Sequence, residues 1–149
     1  MSTRTKILVA VAVLAVLVIA LSRGGKPTPE VASIESDRMA AYVPRGGTLV
    51  DTDTQTGGRV LGAPVSASYT RLFEVARADA ARSLAETEAA AKKAGWRTTQ
   101  ASNGHAFSAE KRAGTGRLAL AVVLVQDGRL LPDGVDPPAL SVNLRRLAA

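Results

Sequence analysis

Apolar and polar positions divide the chain into an N-terminal apolar run, a middle part without clear periodicity and a C-terminal part with alternating patterns. The run from Ile7 to Leu21 is fifteen consecutive apolar residues, with two basic side chains close to it on each side. As a helix, residues 7–22 would be about 24 Å long, slightly less than the roughly 30 Å of bilayer hydrocarbon. The flanking basic side chains can extend to the lipid headgroups and compensate for this difference. The pattern therefore predicts a single transmembrane helix over residues 7–22.

A cleavable signal peptide is the alternative interpretation of this segment. It has a basic start, an apolar region and two small residues, Ala20 and Ser22, at a spacing typical of cleavage sites. The unbroken apolar run up to Leu21 favours a retained anchor in the cell membrane, with secretion after cleavage near Ser22 as the alternative. Because the free amino terminus adds positive charge to otherwise balanced flanks, we expect residues 1–6 to form a cytoplasmic tail and the C-terminal part to be exported.

The middle part, residues 23–65, is predicted to be a tether followed by an extended segment. Residues 23–41 begin with glycines and prolines, and residues 42–65 are rich in Gly, Thr and Pro without a helical or strand period. A structureless stretch of this length is uncommon inside a domain. We therefore expect part of residues 42–65 to lie against the fold as an edge segment, anchored by Leu49, Val60 and Leu61.

The C-terminal part, residues 66–149, begins with a predicted strand and a predicted helix. Apolar and polar residues alternate from Tyr69 to Val75, which favours a strand. Asp79 can cap the helix that follows, and Gly95 can end it. Apolar or small residues then recur at spacings of four and three, as on one helix face, at Ala80, Leu84, Thr87, Ala91 and Ala94.

Asn103-Gly104 predicts a two-residue hairpin, because both residue types tolerate positive φ. The register that follows pairs Ser102 with His105, Gln100 with Phe107, Thr98 with Ala109 and Arg97 with Glu110. After this hairpin, residues 118–125 are apolar at every position, and residues 140–147 alternate between apolar and polar. Both segments are predicted strands.

This order of elements predicts an α+β domain in which one helix packs on an antiparallel sheet of about four to five strands. Such a helix covers one face of the sheet only. Residues 42–65, a second copy of the chain or another partner would then have to cover the other face. The four residues that would project from it form our candidate interaction face: Ala119, Ala121, Val123 and Val125.

Composition further limits the classes of function that fit this chain. The chain has no cysteine, which excludes both a disulfide framework and a lipoprotein anchor. The formal net charge is +6, but four basic residues flank the apolar run, and residues 27–149 contain fifteen basic and thirteen acidic side chains. Because these basic residues are scattered and lack a set of aromatic stacking partners, nucleic acid is not an expected partner.

The sequence contains no motif that fixes an enzymatic reaction, a cofactor or a metal. Asp51, Asp53 and Gln55 resemble the start of a calcium loop, but Thr56 and Gly62 stand where glycine and a bidentate glutamate are needed. His105 is the only histidine and lies beside the predicted hairpin turn. Trp96 is expected to be the chief core side chain under the helix. We therefore expect a protein that is not an enzyme and that has no cofactor.

The helix that ends in Ala94-Gly95-Trp96, after an N-terminal span and a tether, resembles small membrane-anchored or exported actinobacterial proteins of unknown function. The resemblance implies a location and an architecture, without an activity. A helix running into three strands is also similar to the cell-wall-binding PASTA modules, although the Val-Pro-x-Val-x-Gly opening of those modules is missing. The expected function is contact with envelope proteins or with a second copy of the chain. The alternative is a binding module for an envelope glycan or peptide.

Overall fold

The computed structural model describes residues 28–60 and 63–147. The predicted span, the predicted cytoplasmic tail and Leu61 lie outside these ranges. Within the ranges, no helix has the length and apolar character needed to cross a bilayer. The helices are α1 (Pro29–Glu35), α2 (Arg38–Ala41), α3 (Ala80–Lys93) and a 3-10 turn at Gly128–Leu130. The strands are β1 (Thr48–Gln55), β2 (Gly58–Val60), β3 (Ala63–Val65), β4 (Ser68–Glu74), β5 (Arg97–Gln100), β6 (Ala106–Ala113), β7 (Gly116–Val125) and β8 (Ala139–Leu147).

The fold is a small α+β domain with one main helix, α3, on an antiparallel sheet of six strands in the order β1-β4-β8-β7-β6-β5. The expected four to five strands were too few, because β1 pairs with β4 along its whole length. The prediction of an edge segment within residues 42–65 is confirmed by β1, whereas β2 and β3 form a separate hairpin. Leu49 is not the expected anchor: it is 44% exposed, since an edge strand has a neighbour on one side only.

Helix α3 forms where the spacing of apolar residues predicts it. Its sheet-facing side chains Ala80, Leu84, Thr87 and Ala91 are buried. The chain leaves the helix through Gly95, whose φ of +85° is easily adopted by glycine. Asp79 occupies the N-cap position, but its side chain makes no capping hydrogen bond, so that detail of the prediction was wrong.

Residues 29–41 differ from the predicted tether. The Thr28 hydroxyl accepts a hydrogen bond from Val31 N at 3.5 Å, and Pro29 occupies the first helical position of α1, where proline is well tolerated. Val31 and Ile34 are fully buried, and two further buried residues, Met39 and Ala40, come from α2. Both short helices therefore belong to the folded domain, and the tether prediction fails over this range because proline marked the start of a helix.

One face of the sheet, the inner face, carries the core. Helix α1 packs against β4 and β8, while α3 packs against β5, β6, β7 and β8. Full burial of a Leu or Val side chain contributes about 1.5–3 kcal/mol to folding, so these side chains dominate the stability of the domain. Buried apolar residues on the inner face of β4, β7 and β8 include Leu118, Leu120, Val122, Leu124, Leu140, Val142, Leu144 and Phe73.

The β5–β6 hairpin has the predicted register near its base but a longer connection than predicted. Arg97 lies opposite Glu110 and Thr98 opposite Ala109, as expected. A bulge then places Gln100 opposite Ser108 instead of Phe107, and residues 101–105 form the connection. The Asn103 side chain organises this loop, since its Oδ1 atom accepts hydrogen bonds from the backbone N–H groups of residues 105 and 106, at 3.0 and 2.9 Å.

Candidate functional site on the open face of the sheet

Strand β7 is apolar on both faces, but only one face is covered. The side chains that alternate toward the helices, from Leu118 to Leu124, are at most 5% exposed. The predicted interaction residues lie on the opposite side: Ala121 is exposed, Val123 is 43% exposed, and Ala119 and Val125 are half-buried. The structure thus places all four residues on the face of the sheet turned away from α1 and α3.

The segment expected as a cover does not cover this face. Residues 48–55, within the expected cover 42–65, pair edge to edge with β4 and so widen the sheet in its own plane. Because β8 and β4 lie between β1 and β7, this edge strand is three positions away from the apolar residues of β7. Ala121 and Val123 consequently remain open to solvent in the described domain.

The strands beside β7 carry small and polar side chains on the same face. Ala121 lies between Ser108 and Asn143, and Val123 lies between Ala106 and Ser141. We call the surface formed by the outward-facing residues of β7 and its two neighbours the open face: Ala106, Ser108, Ala119, Ala121, Val123, Val125, Ser141 and Asn143. Its apolar part is centred on the four outward residues of β7.

Hydrogen bonds between strands hold the polar residues of the open face in place. The Asn143 side-chain amide donates to the Thr70 hydroxyl at 2.6 Å, and the hydroxyl groups of Thr99 and Ser108 lie 3.0 Å apart. Side chains fixed in this way lose little conformational entropy when a partner binds. The open face is therefore a surface of mostly small side chains, with Ser108 and Asn143 held in place.

Aromatic side chains lie elsewhere in the described ranges. Trp96, Phe73 and Phe107 are buried in the core, as predicted for Trp96, and Tyr42 and Tyr69 pack against the same core. The open face therefore lacks the stacking platform on which proteins commonly bind sugar rings or bases.

The most polar cluster of the interior joins the N-terminal segment to the sheet. The carboxylate of Asp37, the N-cap residue of α2, accepts hydrogen bonds from Met39 N at 2.9 Å and from Trp96 Nε1 at 3.1 Å. Its second oxygen pairs with Lys111 Nζ at 2.9 Å, and Lys111 also donates to the Ala94 carbonyl at 2.8 Å. Because Asp37 contacts residues of α2 and β6 and Trp96 just after α3, this cluster holds α2 against the sheet.

Arg71 is a second interior group, and the alternation from Tyr69 to Val75 places it on the same side of the strand as Phe73. Its Nη1 atom donates to the carbonyl oxygens of Ala40 and Tyr42, at 2.8 and 2.9 Å, and its guanidinium lies 4.8 Å from the Phe73 ring centroid. The buried Nε atom of Arg71 has no hydrogen-bond partner within the described chain. Arg71 therefore fastens the end of α2 to β4. Its position in the strand follows from the alternation, but its two carbonyl partners, about 30 residues earlier in the chain, do not.

The residues considered for metal binding or catalysis are not brought together. Asp51, Asp53 and Gln55 lie along strand β1 and not in a calcium-binding loop. His105 is exposed in the β5–β6 connection. Across residues 28–60 and 63–147 there is no group of three or more His, Asp or Glu side chains able to hold a metal ion.

Comparison of the chain with protein-family models, with curated proteins and with solved structures gave no significant match.

Proposed function

We propose that this protein is a single-pass membrane protein whose exported, non-enzymatic α+β domain contacts another protein of the cell envelope, or a second copy of itself, through the open face. The observation that carries this proposal is the position of the outward residues of β7. A strand that contributes to the core on one side only can carry polar residues on its other side, and β6 and β8 carry such residues there. In β7 that side begins with Arg117 and then carries apolar residues only: Ala119, Ala121, Val123 and Val125.

A second candidate function is a binding module for an envelope glycan or peptide. The polar residues of the open face, Ser108, Ser141 and Asn143, favour it because hydroxyl and amide groups can hydrogen-bond to such ligands. The lack of an aromatic side chain on the open face weakens the case for a glycan. Contact with a protein accounts for both the apolar and the polar residues, since protein interfaces combine an apolar centre with a polar rim.

A paired substitution tests the proposed function. Val123→Asp introduces a charge at the centre of the open face, whereas Leu130→Asp makes the same kind of change at a site of equal exposure, 45% against 43%, outside the sheet. The full chain is cross-linked in native membranes, and its adducts are identified by mass spectrometry. We expect Val123→Asp to lose discrete protein adducts that Leu130→Asp retains.

The same pair separates the two candidate functions. Retention of every protein adduct by Val123→Asp would contradict contact through the open face. Sedimentation of the wild-type domain with purified cell wall, lost in Val123→Asp and kept in Leu130→Asp, would instead support the envelope-ligand function. Thermal unfolding of both variants provides the control, because substitutions at exposed positions away from special contacts usually change stability by less than about 0.5 kcal/mol.

A further inference from the structure

Helix α1, at the start of the described chain, lies at one end of the sheet. A Cβ atom on Gly57 would lie 2.7 Å from Glu30 Oε2 and 3.0 Å from Ala67 N, so the first turn of α1 packs where β1 ends and β4 begins. The Arg146 guanidinium, near the end of β8, donates to the Ser33 hydroxyl at 3.3 Å. Helix α1 therefore crosses the end of the sheet at which β8 finishes and β7 starts.

Arginine side chains gather at this same end. Arg112 lies directly opposite Arg117 in the β6–β7 ladder, and Arg145 lies opposite Ala119 in the β7–β8 ladder. All three are exposed and project on the side of the open face. We call Arg112, Arg117 and Arg145 the arginine end.

The charges of the arginine end are only partly compensated within the domain. Arg117 pairs with Glu110 at 3.4 Å, and this is the only ion pair that the described chain makes with these three residues. Like charges directly opposite each other in a ladder lower stability. The facing pair Arg112 and Arg117 is therefore unfavourable for folding and is explained better by an anion outside the domain.

The opposite end of the sheet has a different charge character. The connection from β7 to β8 carries three exposed carboxylates, Asp127, Asp133 and Asp136, and one basic residue, Arg129. The three arginines thus lie at the end of the sheet where α1 packs, whereas carboxylates outnumber basic residues in the β7–β8 connection at the other end.

The length of chain before α1 limits how far this end can lie from a membrane. If residues 7–22 span the bilayer, as the proposed function requires, six steps along the chain separate Ser22 from Thr28. A fully extended chain covers at most about 3.3–3.6 Å per residue, so this distance cannot exceed roughly 20 Å. Electrostatic attraction to a charged surface acts within about 8–10 Å at physiological salt, a distance that the tether readily allows.

We propose that the arginine end binds the anionic headgroups of phospholipids and orients the exported domain on the membrane. This inference rests on the proposed anchor and names the surface that faces the bilayer. Basic side chains next to a membrane span are attracted to anionic lipid, and planar guanidinium groups match phosphate oxygens in geometry. With the arginine end on the lipid, Val123 stands about 20 Å higher along β7, at roughly 3.3 Å per residue from Arg117, where it remains accessible to a partner.

A fluorescent label on a single introduced cysteine measures this orientation, since the natural chain contains no cysteine. Thr115→Cys places the label in the turn beside the arginine end, and Ala101→Cys places it in the β5–β6 connection at the opposite end; both positions are exposed. The full chain is reconstituted in vesicles of phosphatidylcholine, with or without phosphatidylglycerol, that carry a quencher on the lipid headgroup. We expect phosphatidylglycerol to increase quenching of the Thr115→Cys label by roughly threefold or more and to leave the Ala101→Cys label unchanged.

Two charge-matched triple variants provide the specific test. Arg112→Gln, Arg117→Gln and Arg145→Gln together should abolish the lipid-dependent quenching. The control, Arg77→Gln, Arg82→Gln and Arg129→Gln together, removes the same charge from exposed positions outside the arginine end and should retain it. Equal loss in both triple variants would overturn the inference, because it would show a response to net charge alone.

The remaining outcomes separate this inference from the proposed function. A chain that does not float with either kind of vesicle would contradict the anchor and, with it, both proposals. A chain that floats with both kinds but shows no dependence on phosphatidylglycerol would overturn the lipid inference alone. Inorganic phosphate should reverse the quenching only as much as sodium chloride of equal ionic strength, and a much stronger effect of phosphate would overturn the lipid assignment in favour of a free-phosphate site.

Discussion

Val122 and Val123 are neighbours in the same strand, yet one is fully buried under the helices and the other is 43% exposed on the open face. The same difference holds along β7: inward Leu and Val residues fill the core, whereas outward Ala and Val residues are partly or largely exposed to solvent. Folding of the described domain accounts for the first set only. The apolar character of the second set is therefore the feature on which the proposed contact with a partner rests.

Among the buried residues under the helices, truncation of Trp96 should lower the stability of the domain most. Trp96 is 3% exposed and donates a hydrogen bond to Asp37. Trp96→Ala should lower the free energy of unfolding by about 3–5 kcal/mol, the range for aromatic truncation in a core. Denaturant unfolding followed by circular dichroism measures this change, with Leu130→Ala as the exposed control. An unchanged midpoint for Trp96→Ala would contradict its role as the chief core side chain.

The second largest loss of stability is expected from substitution of Asp37, whose carboxylate contacts Trp96 and Lys111. Asp37→Ala removes the cap of α2 and leaves Trp96 Nε1 and Lys111 without their carboxylate. Lys111 is partly exposed and can recover some hydration, so we expect a loss of about 2–4 kcal/mol. Asp79→Ala is the matched control, since Asp79 occupies an N-cap position without a side-chain capping bond. Equal losses in the two variants would show that Asp37 does not join α2 to the sheet.

Val122→Ala and Val123→Ala compare the two faces of β7 most directly, because the chemical change is identical. Val122→Ala should cost about 2 kcal/mol through lost burial and a residual cavity. Val123→Ala should change the stability of the isolated chain by less than about 0.5 kcal/mol. Equal costs, measured by thermal unfolding, would mean that something within the chain covers the open face.

The smallest expected effect concerns the arginine end. Arg112→Gln removes one of two like charges that lie opposite each other, the other being Arg117. It should stabilise the domain by about 0.2–0.5 kcal/mol at low salt. The gain should shrink at high salt because screening weakens the repulsion. Arg129→Gln, at the opposite end, is the control and should show no such gain. Destabilisation by Arg112→Gln would indicate that this side chain has a structural partner.

Sequence patterns predict the central part of this fold well. The spacing of apolar residues locates α3, and the two-residue period of a strand groups the four residues of the candidate site on one face of β7. Turn chemistry gives the hairpin register near Arg97 and Thr98. These signals succeed because each depends on residues close together in the chain.

The parts that sequence reasoning missed depend on contacts between distant residues. The short helices α1 and α2 are stabilised by burial of Val31 and Ile34 and by the pairing of Asp37 with Lys111, 74 residues later. A local signal for α1 was present, since Thr28 followed by Pro29 is a good helix start, but the nearby glycines and prolines favoured a tether. The neighbours of Val123 on the open face, Ala106 and Ser141, follow only from the register of β6 and β8.

Cysteine accessibility in living cells tests the open face most directly. Ala121→Cys on the open face and Ala101→Cys in the β5–β6 connection are both exposed positions in a chain without other cysteines. With the purified full chain, both should react with a membrane-impermeant maleimide at similar rates. In intact spheroplasts, Ala101→Cys should still react, while Ala121→Cys should react several-fold more slowly because a partner covers it. Equal reactivity of the two positions in spheroplasts would contradict the claim that the open face is a contact surface.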